Sequence, residues 1–179
     1  MQERGNGVSG WVGLNMATRG LPDFVEVNPV VGVCFAEYGE ISRALMGDVP
    51  PGPVPVVSRP LGYLMPENSF RVWRFTQGED PDLQARSIAD AVRVYGETFI
   101  DAYGDWGRFS REIESAGLLA DHERKKVLPI IFAMNGDTEQ ALEIVAEEQS
   151  RVLGLDDMYA RSYRDFAGKF FDRFGSASV

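Results

Sequence analysis

One cysteine and one histidine in 179 residues remove whole classes of chemistry before any pattern is read. A disulfide needs two thiols, so Cys34 forms no internal bridge, and the chain suits a reducing cytoplasm. Zinc sites gather several His and Cys ligands, more than His122 and Cys34 supply, and no EF-hand-like spacing of oxygen ligands is present. No metal and no cofactor is expected, with an oxygen-ligand site for Mg²⁺ or Ca²⁺ as the alternative left open. A Ser-His-Asp or Cys-His triad would have to be built on His122, which stands beside Asp121, Glu123 and Arg124 at a helix start, where an exposed polar side chain is expected. Cys34 lies in a strand with no cation beside it in sequence to stabilise a thiolate, so it reads as a small apolar side chain.

Long apolar runs are missing as well. A membrane-spanning helix takes about 20 apolar residues in a row, and every apolar run here is soon cut by Gly, Pro or a charge. The start, Met1 to Gly7, lacks the positive charge and apolar stretch of a secretory signal, so a cytoplasmic chain away from membranes is expected. Positive charge is scarce: 18 basic against 27 acidic residues leave a formal charge of −9. Nucleic acid is disfavoured as a partner, because its affinity rests on Lys and Arg neutralising phosphates. Arg111 with Arg124-Lys125-Lys126 is the candidate basic patch, and it reads as a solvated helix start. The acidity fits a basic protein partner.

What is present is ordinary globular material, 44% apolar and 25% charged, enough for a single domain over 1–179 with its own core. The first part has a two-residue rhythm. Trp11 to Met16 and Phe24 to Phe35 read as strands joined by a turn at Arg19-Gly20-Leu21-Pro22-Asp23, with Pro29 marking an edge or a bulge. Ile41 to Met46 predicts one or two helical turns. Asp48 to Pro53 is a proline-rich loop. Val54 to Met65 and Phe70 to Phe75 predict a second hairpin about Pro66-Glu67-Asn68-Ser69.

From Asp80 the rhythm becomes helical, with Asp80 as N-cap, Pro81 in the first turn and Ile88, Val92, Tyr95 and Phe99 on one stripe that Gly96 bends. Helices are expected at Arg108 to Ser115, at Asp121 to Asn135 and at Asp137 to Leu153, the last two split by Asn135-Gly136-Asp137 into a hairpin with Gln140 at the capping-box position. A final helix, Met158 to Phe174, carries Tyr159, Tyr163, Phe166, Phe170, Phe171 and Phe174 as a core stripe and stops at Gly175. Strands over 8–76 followed by helices over 80–175 predict an α+β fold, an antiparallel sheet of about four strands packed against four to five helices.

Motifs of chemistry are few. Gly5 to Gly10 precedes a strand, where a phosphate-cradling loop should follow one, and reads as a flexible lead-in. Glu147-Glu148 and Asp156-Asp157 are neighbours in sequence that do not face each other on a helix, and read as solvated faces. One surface stands out: alternation puts Trp11, Gly13 and Asn15 on the same sheet face as Glu26, Asn28 and Cys34, a recognition patch of an aromatic ring, two amides and a carboxylate.

The runs Gly10-Trp11-Val12-Gly13-Leu14-Asn15, Val27-Asn28-Pro29-Val30-Val31-Gly32-Val33 and Pro60-Leu61-Gly62-Tyr63-Leu64-Met65-Pro66, with Trp73-Arg74-Phe75, resemble an uncharacterised family of bacterial hypothetical proteins, a domain of unknown function. The similarity extends through Tyr95-Gly96 and the Leu128 to Ala141 segment. It implies a strand-rich half before a helical half, carries no catalytic residues, and implies a helix before the first strand that this chain lacks. The expected function is a non-enzymatic protein-binding module, of immunity-protein or scaffold type, that engages a basic protein partner through Trp11 and Trp106. The alternative is a small-ligand binder or hydrolase with Asn15, Glu26, Asn28 and Tyr63 or Arg74 in a sheet-face cleft, its carboxylate made basic by burial. A homodimer formed by the strand edge at Pro29 is the third expectation.

Overall fold

Twelve residues of alternating side chains, Phe24–Phe35, make the longest strand of the protein, and its length decides what the neighbouring segments do. The computed structural model describes residues 3–4, 7–47 and 52–175. Gly5 and Asn6 of the expected lead-in, and residues 48–51 of the expected proline loop, lie outside the described residues. The chain forms two compact units, Met1–Cys34 with Val57–Trp106, and Phe35–Val56 with Gly107–Val179. The architecture is α+β, with the antiparallel sheet in the amino-terminal half and most helices after it.

In the first unit β1 (Glu3–Arg4) pairs with Ser9 and Val8 of β2 (Val8–Ala17), so Val8 to Gly10 belong to a strand and not to a lead-in. β2 lies beside β3 (Phe24–Phe35). The turn between them is where its residues predict it, with the Leu21 amide donating to the Thr18 carbonyl at 3.1 Å and the Phe24 amide to the Gly20 carbonyl at 2.9 Å. β4 (Val57–Pro60) pairs with Val30 to Val33, and β5 (Trp73–Thr76) pairs with Phe24 to Val27. β3 is therefore an inner strand, not an edge. Pro29 is buried between the stretches registered against β5 and β4, at a position that faces neither partner, where its missing N–H interrupts no pairing with them.

The expected second hairpin does not form: β4 and β5 both pair with β3 and not with each other. Between them Leu61–Leu64 makes a 3-10 turn, and the Ser69 amide returns to the Gly62 carbonyl at 3.3 Å. Residues expected to extend the strand at Val54 and Leu61 are thus loop and turn.

A helical rod follows. α1 (Ala36–Met46) belongs to the second unit; α2 (Pro81–Ala91), a π-helical turn at Val92–Gly96 and α3 (Glu97–Tyr103) run on in the first, helical backbone angles being kept at each junction. Asp80 caps the rod by accepting from the Asp82 amide at 2.9 Å, and Gly96, expected to bend it, closes the π turn. The rod covers one sheet face: Gly96 lies against Val31, Gly10 against Ile100, and the Trp73 indole N–H donates to Ser87 Oγ at 3.0 Å. A side chain at Gly96 would press into Val31, and the extra residue of a π turn sits where that close approach occurs.

In the second unit α1 starts at Ala36, a full turn before the expected Ile41, and interrupts the strand-rich half. It packs on α5 (Asp121–Met134) and α7 (Met158–Phe174); α4 (Trp106–Glu112) precedes α5, and α6 (Thr138–Val152) joins α5 and α7. The α5 to α6 hairpin turns at Gly136 in the left-handed region, φ 89°, as its sequence predicts. The cap is different: Asp137 makes no side-chain capping bond, whereas Asp157 accepts from the Ala160 amide at 2.8 Å. Tyr163, Phe166 and Phe170 are fully buried, and neighbouring rings along α7 stand 4.8 to 5.9 Å apart.

Gly62 tests this chain path. A Cβ there would overlap the Ser69 carbonyl oxygen and the Arg71 backbone, neither of which can swing away, whereas Gly154 faces open space. Gly62→Ala is expected to lose about 1–3 kcal/mol in urea denaturation, with Gly154→Ala close to wild type; equal midpoints would contradict the close approach.

Candidate functional site

The residues expected to form a sheet-face site divide into committed and uncommitted groups. Gly10 of β2 and Val31 of β3 both meet the α2 to α3 rod, so by alternation Trp11, Gly13, Asn15, Glu26 and Asn28 stand on the opposite face. Glu26 is paired with Arg74 directly across β3 and β5, at 2.7 Å, and the Arg74 guanidinium lies 4.3 Å above the Phe24 ring. Asn28 is buried, its amide donating to the Arg71 carbonyl at 2.8 Å. Trp11 lays its ring over Gly13 and is half-buried, as is Trp106. Neither tryptophan is the exposed aromatic it was expected to be; Tyr63 and Phe70 are exposed instead. Asn15 is exposed.

β2 itself is the open feature of this unit. On its outer side β1 pairs only with Val8 and Ser9, so among the described residues no strand adjoins Gly10 to Ala17 there. Its sequence, VSGWVGLNMA, contains neither charge nor proline. Val12, Leu14 and Met16 share one face and are 43%, 55% and 67% exposed.

The helical unit holds a cleft of about 580 Å³ lined by charged and polar residues. α5 contributes His122, Arg124 and Lys125, α6 contributes Glu148 and Arg151, and α7 contributes Tyr159. Its organising group is Glu148, whose side chain is 1% exposed while that of Arg151 is 64% exposed. Arg151 grips the carboxylate with two donors, Nε to Oε2 at 2.8 Å and Nη2 to Oε1. The Tyr159 hydroxyl donates to Oε1 at 2.9 Å, and the Lys125 ammonium stands 3.9 Å from Oε2. The Arg151 hydrogen bonds hold the Glu148 carboxyl below its ordinary range despite burial, with Tyr159 adding to the effect. Burial, and then the bond to that carboxylate, push the Tyr159 phenol up to about 12.

Several expectations change here. Glu148 was expected on a solvated face with Glu147; Glu147 is exposed, but Glu148 is among the most buried side chains of the unit. The Arg124-Lys125-Lys126 run is half-buried, not freely solvated: Arg124 donates to the Glu114 carbonyl at 2.9 Å, and Lys126 donates to Ser162 Oγ at 2.9 Å. Burial pulls the Lys126 ammonium below its usual range. His122 is exposed, as its neighbours predict. Cys34 is buried, and burial raises its thiol to about 11, so it is a poor nucleophile.

Among the described residues no group of three or more His, Cys, Asp or Glu side chains is placed to hold a metal ion, and no helix is long and apolar enough to cross a membrane. No family model, no curated protein and no solved structure matches the chain.

The Glu148 pair is asymmetric, and that asymmetry is measurable. Arg151→Ala leaves a buried carboxylate with weaker partners, Tyr159 and the more distant Lys125, and is expected to lower the urea midpoint by more than Glu148→Gln does. Glu148→Gln removes the charge and leaves Arg151 to water, at about 1–2 kcal/mol. Because the Glu148 carboxyl is depressed in the folded state, its contribution is complete above the unfolded value of about 4.3 and is lost as pH falls through the folded value. Denaturation at neutral and acid pH should show wild type losing more stability over that interval than Glu148→Gln. Parallel pH profiles would contradict the assignment.

Proposed function

We propose that this chain is a non-enzymatic protein-binding module that takes an extended segment of a basic partner by strand addition to the outer side of β2. The observation that carries the reading is the outer edge of β2 from Gly10 to Ala17, uncharged and, among the described residues, without a pairing strand, with Val12, Leu14 and Met16 exposed beside it. Natural sheet edges are commonly guarded by lysine, proline, bulges or covering elements, because bare N–H and C=O groups recruit any passing strand. In strand addition the main chain supplies affinity and alternate side chains supply specificity. The net charge of −9 adds long-range attraction toward a positively charged partner without placing a charge on the edge itself.

The rival, a ligand-binding or hydrolytic site built on Asn15, Glu26 and Asn28, has less behind it. Glu26 and Asn28 are engaged by Arg74 and by the Arg71 carbonyl, and freeing either would cost internal bonds. The homodimer expected through Pro29 loses its edge, since β3 is flanked by β2 and by β4 with β5.

Selection from a displayed library of random extended peptides tests the proposal. Binders are expected to alternate apolar residues between basic flanks, and to protect the amides of Gly10 to Ala17 from hydrogen exchange. Leu14→Lys, an exposed change that leaves the core untouched, should weaken them at least about tenfold. Peptides that bind Leu14→Lys as well as wild type would refute it.

A further inference from the structure

We infer that the cleft between α5, α6 and α7 is a binding site for a small oxyanion, a phosphate or carboxylate group, held between Arg151 and Lys125. The inference is independent of strand addition, which concerns the other unit. It begins with what Glu148 does to the cations around it. A carboxylate 1% exposed draws Arg151 and Lys125 to within 4 Å of its oxygens, so two positive charges share one negative charge and the group carries a net charge of +1.

Arg151 is gripped along one edge only. Nε and Nη2 are committed to Glu148, whereas Nη1 has no hydrogen bond among the described residues and the side chain is largely open to solvent. A guanidinium fork fixed on one side by a buried acid presents its other donors in a set direction, the geometry that suits a planar carboxylate or a phosphate. Lys125 stands 3.9 Å from Glu148, an ion pair too long for a good hydrogen bond, and its ammonium makes no hydrogen bond among the described residues. Its donors are available beside those of Arg151. His122 and Arg124 add further positive or polar groups to the wall.

Glu148 is a poor seat for a cationic ligand, since it already accepts twice from Arg151 and once from Tyr159, and Lys125 stands beside the oxygen with room left. The acidic rim, Asp121 and Glu147, is exposed and so more strongly screened by solvent than the floor. The chain as a whole carries −9, so a long phosphate backbone would be repelled; the cleft lining is formally neutral, Arg124, Lys125 and Arg151 balancing Asp121, Glu147 and Glu148, and the positive charge open to a small oxyanion is that of Arg151 and Lys125 at the floor.

The test is a titration of the folded chain with sodium phosphate and, separately, sodium succinate, each at constant ionic strength set by sodium chloride. The readouts are the Arg151 side-chain Nε–H signal and the amides of α5 and α6. Saturable shifts at these positions with either anion are expected, and the arm that saturates at lower concentration identifies the oxyanion class. Lys125→Ala should weaken binding about tenfold, the worth of one charged hydrogen bond. Arg151→Lys, which keeps a cation against Glu148 but loses the fork, should weaken it at least as much while the chain stays folded by circular dichroism. Shifts that grow linearly and match sodium chloride alone would overturn the inference, as would saturable binding unchanged in Lys125→Ala.

Discussion

The length of β3 is the constraint on which the sheet depends. A strand of twelve residues offers an edge longer than either four-residue neighbour can cover, so β4 and β5 divide it and Pro29 falls where neither registers. With that side occupied, β2 takes the other side and becomes the last long strand of the sheet. Among the described residues its outer edge is open from Gly10 onward, because β1 pairs only with Val8 and Ser9. The helical rod then covers one sheet face through contacts at Gly96, Ile100 and Ser87, and leaves Val12, Leu14 and Met16 exposed.

In the helical unit the comparable constraint is electrostatic. A buried carboxylate is tolerated only when hydrogen bonds and opposite charge replace the water it has lost. Glu148 meets that condition by recruiting one residue from its own helix, one from α7 and one from α5, so its single charge fixes groups on three helices at once. The aromatic ladder of α7 supplies apolar burial but no such direction. A wholly apolar alternative at Glu148 would leave Arg151 and Lys125 without the charge that gathers them.

The legible parts of the sequence are those where a local signal and its tertiary role coincide. Phe24–Phe35 and Met158–Phe174 are bounded by turn and capping chemistry, and both elements occupy the ranges that chemistry predicts. The misread parts are those decided by distant partners. Val54 to Met65 has the composition of a strand, but only the four residues that find a place on β3 become one. Pro29 reads as an edge signal because a proline ordinarily breaks pairing, and nothing local reveals that two partners meet on either side of it. Ala36 to Glu40 carries a weak helical pattern, and α1 gains its extra turn by packing on α5 and α7. The candidate sites follow the same division. The uncharged run in β2 was visible as a strand, but its open edge is a property of the sheet. Glu148 and Arg151 stand three apart, and that spacing was a usable signal for a pair on one helix face; the burial that makes the pair consequential comes from Tyr159 and Lys125, eleven residues later and 23 residues earlier.

Where hydrogen-bonding capacity has been used, and where it has been left over, separates structure from function in this chain. Among the described residues every buried side-chain nitrogen or oxygen has a partner. Asn28 is tied to a carbonyl, Ser42 to the Met46 sulfur at 3.6 Å, and Glu148 to Arg151 and Tyr159, so these buried polar groups are accounted for by folding. Capacity remains at many exposed groups, and two of the places bear on function: the outer backbone edge of β2 between Gly10 and Ala17, and the outward donors of Arg151 and Lys125. An open strand edge is satisfied by water at little enthalpic loss, and so is an exposed guanidinium. Folding alone therefore does not explain why the edge carries apolar side chains instead of the charges that would protect it, and although Glu148 accounts for gathering the two cations, it leaves their outward donors unused. Each arrangement becomes intelligible once a strand occupies the first and an oxyanion the second.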